Sequence, residues 1–225
     1  MEQITAIIPT SNIPSHPSTS ILEKTIASVR KHIPGVEIIV TCDGLRPEHG
    51  HRRIQYEEYM GRVSTMAPVI KFDTHVHQSG MMLAALARVE TPLVLYLEHD
   101  WELGHPIEWA AIEGVICAGE ANYVKFHAGN RIHPLHEHMM FDRLISHGIP
   151  LIKTVQYSAN PHVASAAWYR NLEFRFREKT DYIENILHGP IAVAPWDDYK
   201  LMIYNPITGD MKRAFHLDGR QDDKP

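Results

Sequence analysis

The 225 residues suffice for one well-packed α/β domain and are too few for two, on a scale of roughly 100 to 200 residues per domain. A hydrophobic content of 44% excludes a long disordered region, and a formal charge of -5 exerts no global pull toward nucleic acid, leaving only a local basic groove for such a partner. The chain starts without a basic leader and holds no apolar run near the ~20 residues of a membrane helix, so a cytoplasmic protein without a membrane anchor is expected.

Residues Ile4 to Pro9 form a β-rich run stopped by proline, which predicts a buried strand emptying into the irregular loop Thr10 to Thr19. Ser18 or Ser20 is placed to cap an amphipathic helix carrying Leu22, Ile26 and Val29, ended by Pro34-Gly35. Val36 to Thr41 reads as a second buried strand, and Cys42-Asp43-Gly44 as the turn after it. This β-loop-α-β order favours a parallel sheet with helices on its faces. A polar helix within 46–66, a short strand at Val69 to Asp73 and a helix at Gly80 to Arg88 follow. Leu93 to Leu97 is the most convincing central strand. Beyond it the pattern predicts a helix at Ile107 to Ala118, strands at Tyr123 to His127 and Ser165 to Tyr169, and a helix from Asp181 to His188. The segments Lys200 to Asn205 and Met211 to His216 read as a hairpin with Gly209 at its turn. Cys42 and Cys117 match neither a disulfide framework nor a zinc knuckle and read as reduced core residues.

The central strand delivers Glu98, Asp100 and Glu102 at alternating positions at its C-terminal end, where ligands bind in open α/β sheets. Carboxylates so spaced repel one another unless solvated or bridged by a cation, and hard oxygen ligands suit Mg²⁺ or Mn²⁺. A solvated acidic loop is the alternative.

The order Ile7-Ile-Pro-Thr10, Ile39-Val-Thr-Cys-Asp43, Gly80 to Arg88 and Leu95-Tyr-Leu-Glu-His-Asp100 resembles the family-two-like GT-A glycosyltransferases over roughly the first hundred residues. The resemblance implies an α/β fold: one Rossmann-like GT-A domain over 1–225 with a mostly parallel central sheet flanked by helices. Residues to about 104 would form its nucleotide-sugar half and 105–225 its acceptor half. It implies that Pro9, Thr10 and Asn12 line the base pocket, that Asp43 holds the uracil or ribose, and that Asp100 is the principal metal ligand. Glu98 stands where the first Asp of an Asp-x-Asp motif is common, and its longer reach suits ribose or a metal-bound water. By order alone, Glu184 is the expected base of an inverting transfer, with Asp197 and Asp198 next in line. His216 would complete the metal site, with Arg220 and Arg88 as diphosphate or acceptor contacts. The implied chemistry moves a sugar from a nucleotide-diphosphate donor, a UDP-sugar, to a hydroxyl on a glycan, a protein or a hydroxymethylated DNA base. A row of Arg170, Arg175, Arg177 and Lys179 offers a strip for the last of these.

Sixteen histidines support a rival reading. Asp73-Thr-His-Val-His77 resembles the Asp-x-His-x-His motif of amidohydrolases, in which two imidazoles on one strand bind a transition metal. Those enzymes place the motif on the first strand of a barrel of ~250 residues, whereas about seventy residues precede it in this chain. A module that keeps the nucleotide pocket without the chemistry is the third class. Asp43, Asp100 and His216 together weigh against it.

Overall fold

A computed structural model describes residues 3–127, 134–205 and 212–217. The first half runs β1 (Ile4–Thr10), α1 (Ser20–His32), β2 (Glu37–Cys42), α2 (Arg53–Val63), β3 (Val69–Lys71), α3 (His77–Leu86) and β4 (Leu93–Tyr96). The second adds β5 (Trp101–Leu103), α4 (Trp109–Cys117), β6 (Tyr123–Phe126), β7 (Met140–Ser146), β8 (Ile149–Thr154) and β9 (His162–Ser165). It ends with α5 (Ala166–Asn171), α6 (Glu173–Glu178), α7 (Ile183–Ala192), α8 (Trp196–Tyr199), β10 (Leu201–Tyr204) and β11 (Ala214–His216).

Both halves contribute to one open sheet in the order β3-β2-β1-β4-β9-β6-β10-β8-β7, while β11 and β5 form a separate ribbon. Because both faces of the sheet are covered, β1 and β4 are largely apolar along their length. In β1, Ile4, Ala6 and Ile8 face one core and Ile7 the other; in β4, Leu93 and Leu95 face the first and Val94 and Tyr96 the second. The first core is closed by Leu22, Ile26 and Val29 of α1 and by Tyr56 and Tyr59 of α2. The second is closed by Met82 and Leu86 of α3 and by Ile186 and Leu187 of α7.

Several expectations are corrected. The sheet is mixed: β3, β2, β1 and β4 pair in parallel, as do β6 and β10, but β9 and β8 run against their neighbours, so parallel and antiparallel pairings are equal in number. The run Ser165 to Tyr169 is not a strand. The strand ends at Ser165, whose Oγ accepts from Trp168 N at 3.3 Å and caps α5. The C-terminal hairpin does not form either. β10 is an inner strand between β6 and β8, β11 pairs with β5, and Gly209 lies outside the described residues. Ser18 and Ser20 do not cap α1; it begins after Thr19, whose hydroxyl donates to Glu23 Oε1 at 2.6 Å. Cys42 is buried as expected, but Cys117 is exposed, and both are free thiols. A β7–β8 hairpin, turned through His147 (φ 49°) and Gly148 (φ 82°), was not anticipated. Two left-handed residues make the turn that matches strand twist, and His-Gly is not its usual signature.

The β5–β11 ribbon depends on a close approach at Gly104, where a Cβ would lie 1.8 Å from Cε2 of Phe215. Gly104→Ala must therefore push Phe215, and β11 with it, away from β5. A loss of about 1–3 kcal/mol is expected, read as a lower urea midpoint; an unchanged midpoint would show that the ribbon does not depend on this contact.

Candidate functional site

The C-terminal ends of β1, β2 and β4 open into a cleft of about 360 Å³. Sequence-distant residues meet there for a simple reason: parallel neighbours β2, β1 and β4 end at one edge, so the loops that follow them are adjacent. Pro9, Thr10 and Asn12 come from the first loop, Asp43 from the second, and Glu98 and Asp100 from the third. His75, His77 and Gln78 close the side at the start of α3, and Tyr182 covers it from the start of α7.

The acidic side is built by α1 and β11. Beyond β4 the ladder with β1 continues, Leu97 N donating to Ile7 O at 3.2 Å and His99 N to Pro9 O at 3.2 Å. Thr25 Oγ1 of α1 donates to His99 O at 2.6 Å. Asp100 is buried, its Oδ2 lies 3.4 Å from His216 Nε2, and its carbonyl accepts from Leu217 N at 2.7 Å. Two residues 116 positions apart are thus held as one pair by the pairing of His216 with Trp101 across the ribbon. Glu98 Oε1 accepts from Gln78 Nε2 at 3.0 Å, and Gln78 Oε1 accepts in turn from Ile183 N at 3.3 Å.

The other side is a carboxylate enclosed by backbone. Asp43 is buried; its Oδ1 accepts from Gly44 N and from Val76 N, each at 2.8 Å, and its Oδ2 stands 2.7 Å from His75 Nδ1. Gly44 has no room for a side chain, since a Cβ would lie 2.1 Å from the Thr74 carbonyl carbon. The loop 74–76 is therefore pressed onto the end of β2, and His75 is fixed by it. His77 takes a left-handed φ of 60°, a strained choice for a residue with a Cβ, and stands edge-on to Tyr182 at 4.2 Å. Burial, then His75 and Arg46, hold the His77 imidazole below its ordinary pKa. Arg46 and His49 line the same side, giving the cleft a basic half opposite Glu98 and Asp100.

Behind the first loop, Thr10 Oγ1 shares a 2.9 Å hydrogen bond with Tyr59 OH, and Tyr56 OH donates to Asp43 O at 2.7 Å. His16 stacks on Tyr59 with centroids 3.7 Å apart. Asn12 turns both amide atoms into buried space at the cleft without a protein partner.

The other expected residues lie elsewhere. Arg88 is exposed beyond the far end of α3, about 15 Å along the helix from Gln78 at 1.5 Å per residue. Asp198 is exposed on α8 before β10 starts, at the edge opposite the cleft, because β10 runs in the same direction as β1 and β4. Its place in the fold removes it from reach of the cleft. Glu184 stands one layer back, its Oε2 accepting from Ala159 N at 3.0 Å and Ser158 Oγ at 3.4 Å. Arg220 lies outside the described residues. The arginine row is tied into its own surroundings: Arg170 donates to the Val89 carbonyl, Arg175 to Tyr199 OH at 3.3 Å, and Arg177 pairs with Glu173 at 3.1 Å. Gln78, Tyr182, Arg46 and His49 were not anticipated. They come from three separate segments, the stretch after β2, the start of α3 and the start of α7, and no local pattern announces their meeting.

No protein-family model matches the sequence, and no curated protein matches it. Solved structures do match in fold. GalNAc-T7 with UDP, GalNAc and Mn²⁺ aligns with a TM-score of 0.60 at 12% identity, over 96% of this chain and 44% of that one. The fold is the GT-A fold of glycosyltransferases. S. aureus TarS 1–349 aligns at 0.55 with 14% identity over 95% of this chain and 60% of that one. The mannosyltransferase PcManGT from Pyrobaculum calidifontis, in complex with GDP-Man and Mn²⁺, aligns at 0.51 with 9% identity over 76% and 46%. The chain spans 44 to 60% of the length of these structures. An open GT-A sheet is not a (β/α)₈ barrel, and His75 and His77 sit on a loop and a helix start rather than on a barrel's first strand, which sets aside the amidohydrolase reading.

Burial holds His16 down to about 3, with His99 and Arg52 adding to the depression. Burial likewise holds His162 at about 3. Each group binds its proton in the unfolded chain near pH 6.5 but not in the folded one. Stability is therefore complete above about pH 6.5 and falls as the pH drops from there toward 3, by up to about 1.4 kcal/mol per pH unit for each histidine. His16→Phe, which keeps the stack on Tyr59, is expected to lose about 2 kcal/mol less than the parent between pH 7 and 5 in urea unfolding. An identical pH dependence would place the titration on other groups.

Proposed function

We propose that the chain transfers a sugar from a nucleoside-diphosphate donor to a hydroxyl acceptor, aided by a divalent cation. The observation that carries this reading is the pairing of Asp100 with His216 at the end of β4, 3.4 Å apart, on the rim of a cleft that also holds Thr10, Asn12 and Asp43. The resemblance of the first hundred residues and the GT-A fold support it.

The donor set fits a cation shared with a phosphate. Among the described residues no three of His, Cys, Asp and Glu converge as a closed metal cage, so Asp100 and His216 would supply two ligands and diphosphate oxygens and water the rest, the usual arrangement for ions bound with nucleotides. An imidazole beside a carboxylate favours Mn²⁺ over Mg²⁺. Bound there, the ion offsets the charge gathering on the leaving diphosphate.

The chain's own groups do the rest. Asn12 offers the nucleotide a buried amide with both ends unengaged. Gln78 holds Glu98 in the cleft lining, where it would face the ribose. Glu184 is assigned as the base: turning from Ala159 N toward the cleft, it would take the acceptor's proton as the acceptor oxygen bonds to the anomeric carbon and the nucleoside diphosphate departs with the electrons of the broken bond. Glu184 adjoins Ile183, whose N–H is held by the same Gln78 that binds Glu98, so one side chain links the start of α7 to the acidic segment. The acceptor is a hydroxyl on a glycan, a protein or a hydroxymethylated base; the engaged arginine row gives no specific support to the last.

Calorimetric titration of UDP and GDP, with and without Mn²⁺, into the parent, Asp100→Ala and His216→Ala proteins tests the reading. Mn²⁺-dependent binding is expected, weakened roughly tenfold or more in Asp100→Ala and also in His216→Ala, since even outer partners of metal ligands carry 10- to 100-fold effects. Binding that ignores Mn²⁺ and both substitutions would overturn the metal role. Metal-dependent binding with no hydrolysis or transfer of any UDP- or GDP-sugar would favour the binding-module alternative.

A further inference from the structure

Asp43 has little left to offer a ligand. Its Oδ1 already accepts two backbone N–H groups at 2.8 Å, its Oδ2 is taken by His75 Nδ1 at 2.7 Å, and the residue is 2% exposed. Both residues line the cleft, but the His75 side chain is 23% exposed against 2% for Asp43, so His75 presents the more accessible surface. Resting on the nucleotide-sugar reading above, we propose that His75, not Asp43, reads the donor's nucleobase, and that Asp43 acts as its positioning residue.

The chemistry sets which bases are accepted. An ionised carboxylate only accepts hydrogen bonds, so the proton between the two residues sits on His75 Nδ1. In the tautomer with a proton on Nδ1 alone, the far ring nitrogen Nε2 is an acceptor. An acceptor fixed in this way suits a base whose ring nitrogen carries a proton, as uracil N3 and guanine N1 do. It meets cytosine N3 or adenine N1 lone pair to lone pair. The geometry is set in advance, since Gly44 lets the 74–76 backbone close onto β2 and Asp43 Oδ1 anchors Val76 N. Little ordering is left to occur on binding. His75 thus selects by hydrogen-bond polarity, while Asn12, with both a donor and an acceptor unengaged, tolerates either polarity.

The experiment measures UDP, CDP, GDP and ADP affinities by calorimetry in the presence of Mn²⁺, for the parent, His75→Ala, His75→Gln and Asp43→Asn. The parent is expected to favour UDP over CDP, and GDP over ADP, by about tenfold, the worth of one well-made hydrogen bond together with the cost of leaving its partner unpaired. His75→Ala should weaken UDP by about that factor and bring the UDP-to-CDP ratio near one. His75→Gln, whose amide both donates and accepts, should recover affinity without recovering discrimination. Asp43→Asn keeps a carbonyl for Gly44 N and Val76 N but sets an amide against Nδ1. That moves the ring proton to Nε2 and shifts preference toward CDP, which a merely structural Asp43 would not do. A ratio unchanged in His75→Ala and lost in Asp43→Asn would show that the carboxylate reads the base itself and overturn the proposal. A parent that binds UDP and CDP equally would overturn this proposal alone. A parent that binds none of the four overturns the nucleotide-sugar reading and this proposal together.

Discussion

The structure turns on how the end of β4 is held once the sheet lets go of it. Leu93 to Leu97 is buried on both faces, and a strand packed that way cannot choose where it ends by amphipathicity. Its continuation is held instead by polar groups that the apolar pattern does not reveal. Pro9 O takes His99 N at 3.2 Å. Two buried hydroxyls on the otherwise apolar face of α1 complete the job: Thr25 Oγ1 donates to His99 O at 2.6 Å, and Ser28 Oγ accepts from Leu103 N at 3.0 Å. Small polar residues are tolerated in a helix interior when their hydroxyls find such partners. α1 is thus both the lid of one core and the clamp that places Glu98 to Leu103.

The same logic places β11. A three-residue strand has little stability of its own, and β11 pairs with an equally short β5. What makes the ribbon persist is its seat: Trp101, Leu103 and Ala214 join the core under α1 and α4, and Gly104 admits Phe215. His216 is therefore carried to Asp100 by apolar packing, and a metal need not hold the two ends of the chain together. The imidazole meets Trp101 edge-on at 4.9 Å, which limits its rotation.

Legibility followed burial. Strands β1, β2 and β4 are continuous apolar runs, so their ends, and with them Thr10, Asp43 and Asp100, were readable as one edge of a parallel sheet. The second half carried weaker signals. β9 has only Val163 and Ala164 as apolar residues between His162 and Ser165, and its burial depends on a polar network no local pattern encodes. His162 Nδ1 donates to Asn160 O at 2.6 Å and its Nε2 accepts from Tyr169 OH, which accepts from Tyr157 OH at 3.0 Å. With every polar atom of that ring engaged, burial and a neutral imidazole are compatible. β10 reads as half of a hairpin from the sequence because proximity along the chain is the only cue there; its true neighbours, β6 and β8, lie some fifty to eighty residues earlier. Asp198 was misplaced for the same reason, since an acidic pair beside a tryptophan says nothing about which end of a strand it precedes.

The surroundings of Glu184, proposed above as the base, illustrate how burial tunes chemistry without a local motif. Glu184 lies near Lys125, a lysine with 8% exposure on β6 whose Nζ reaches Gln156 Oε1 at 3.5 Å. Burial pulls Lys125 down to about 8, and the charge of Glu184 pulls it back up. Glu184, whose neighbour Ile183 is tied to Gln78 at the cleft, thus also lies beside a buried lysine, and this supports the proposal of Glu184 over the exposed acids of α8.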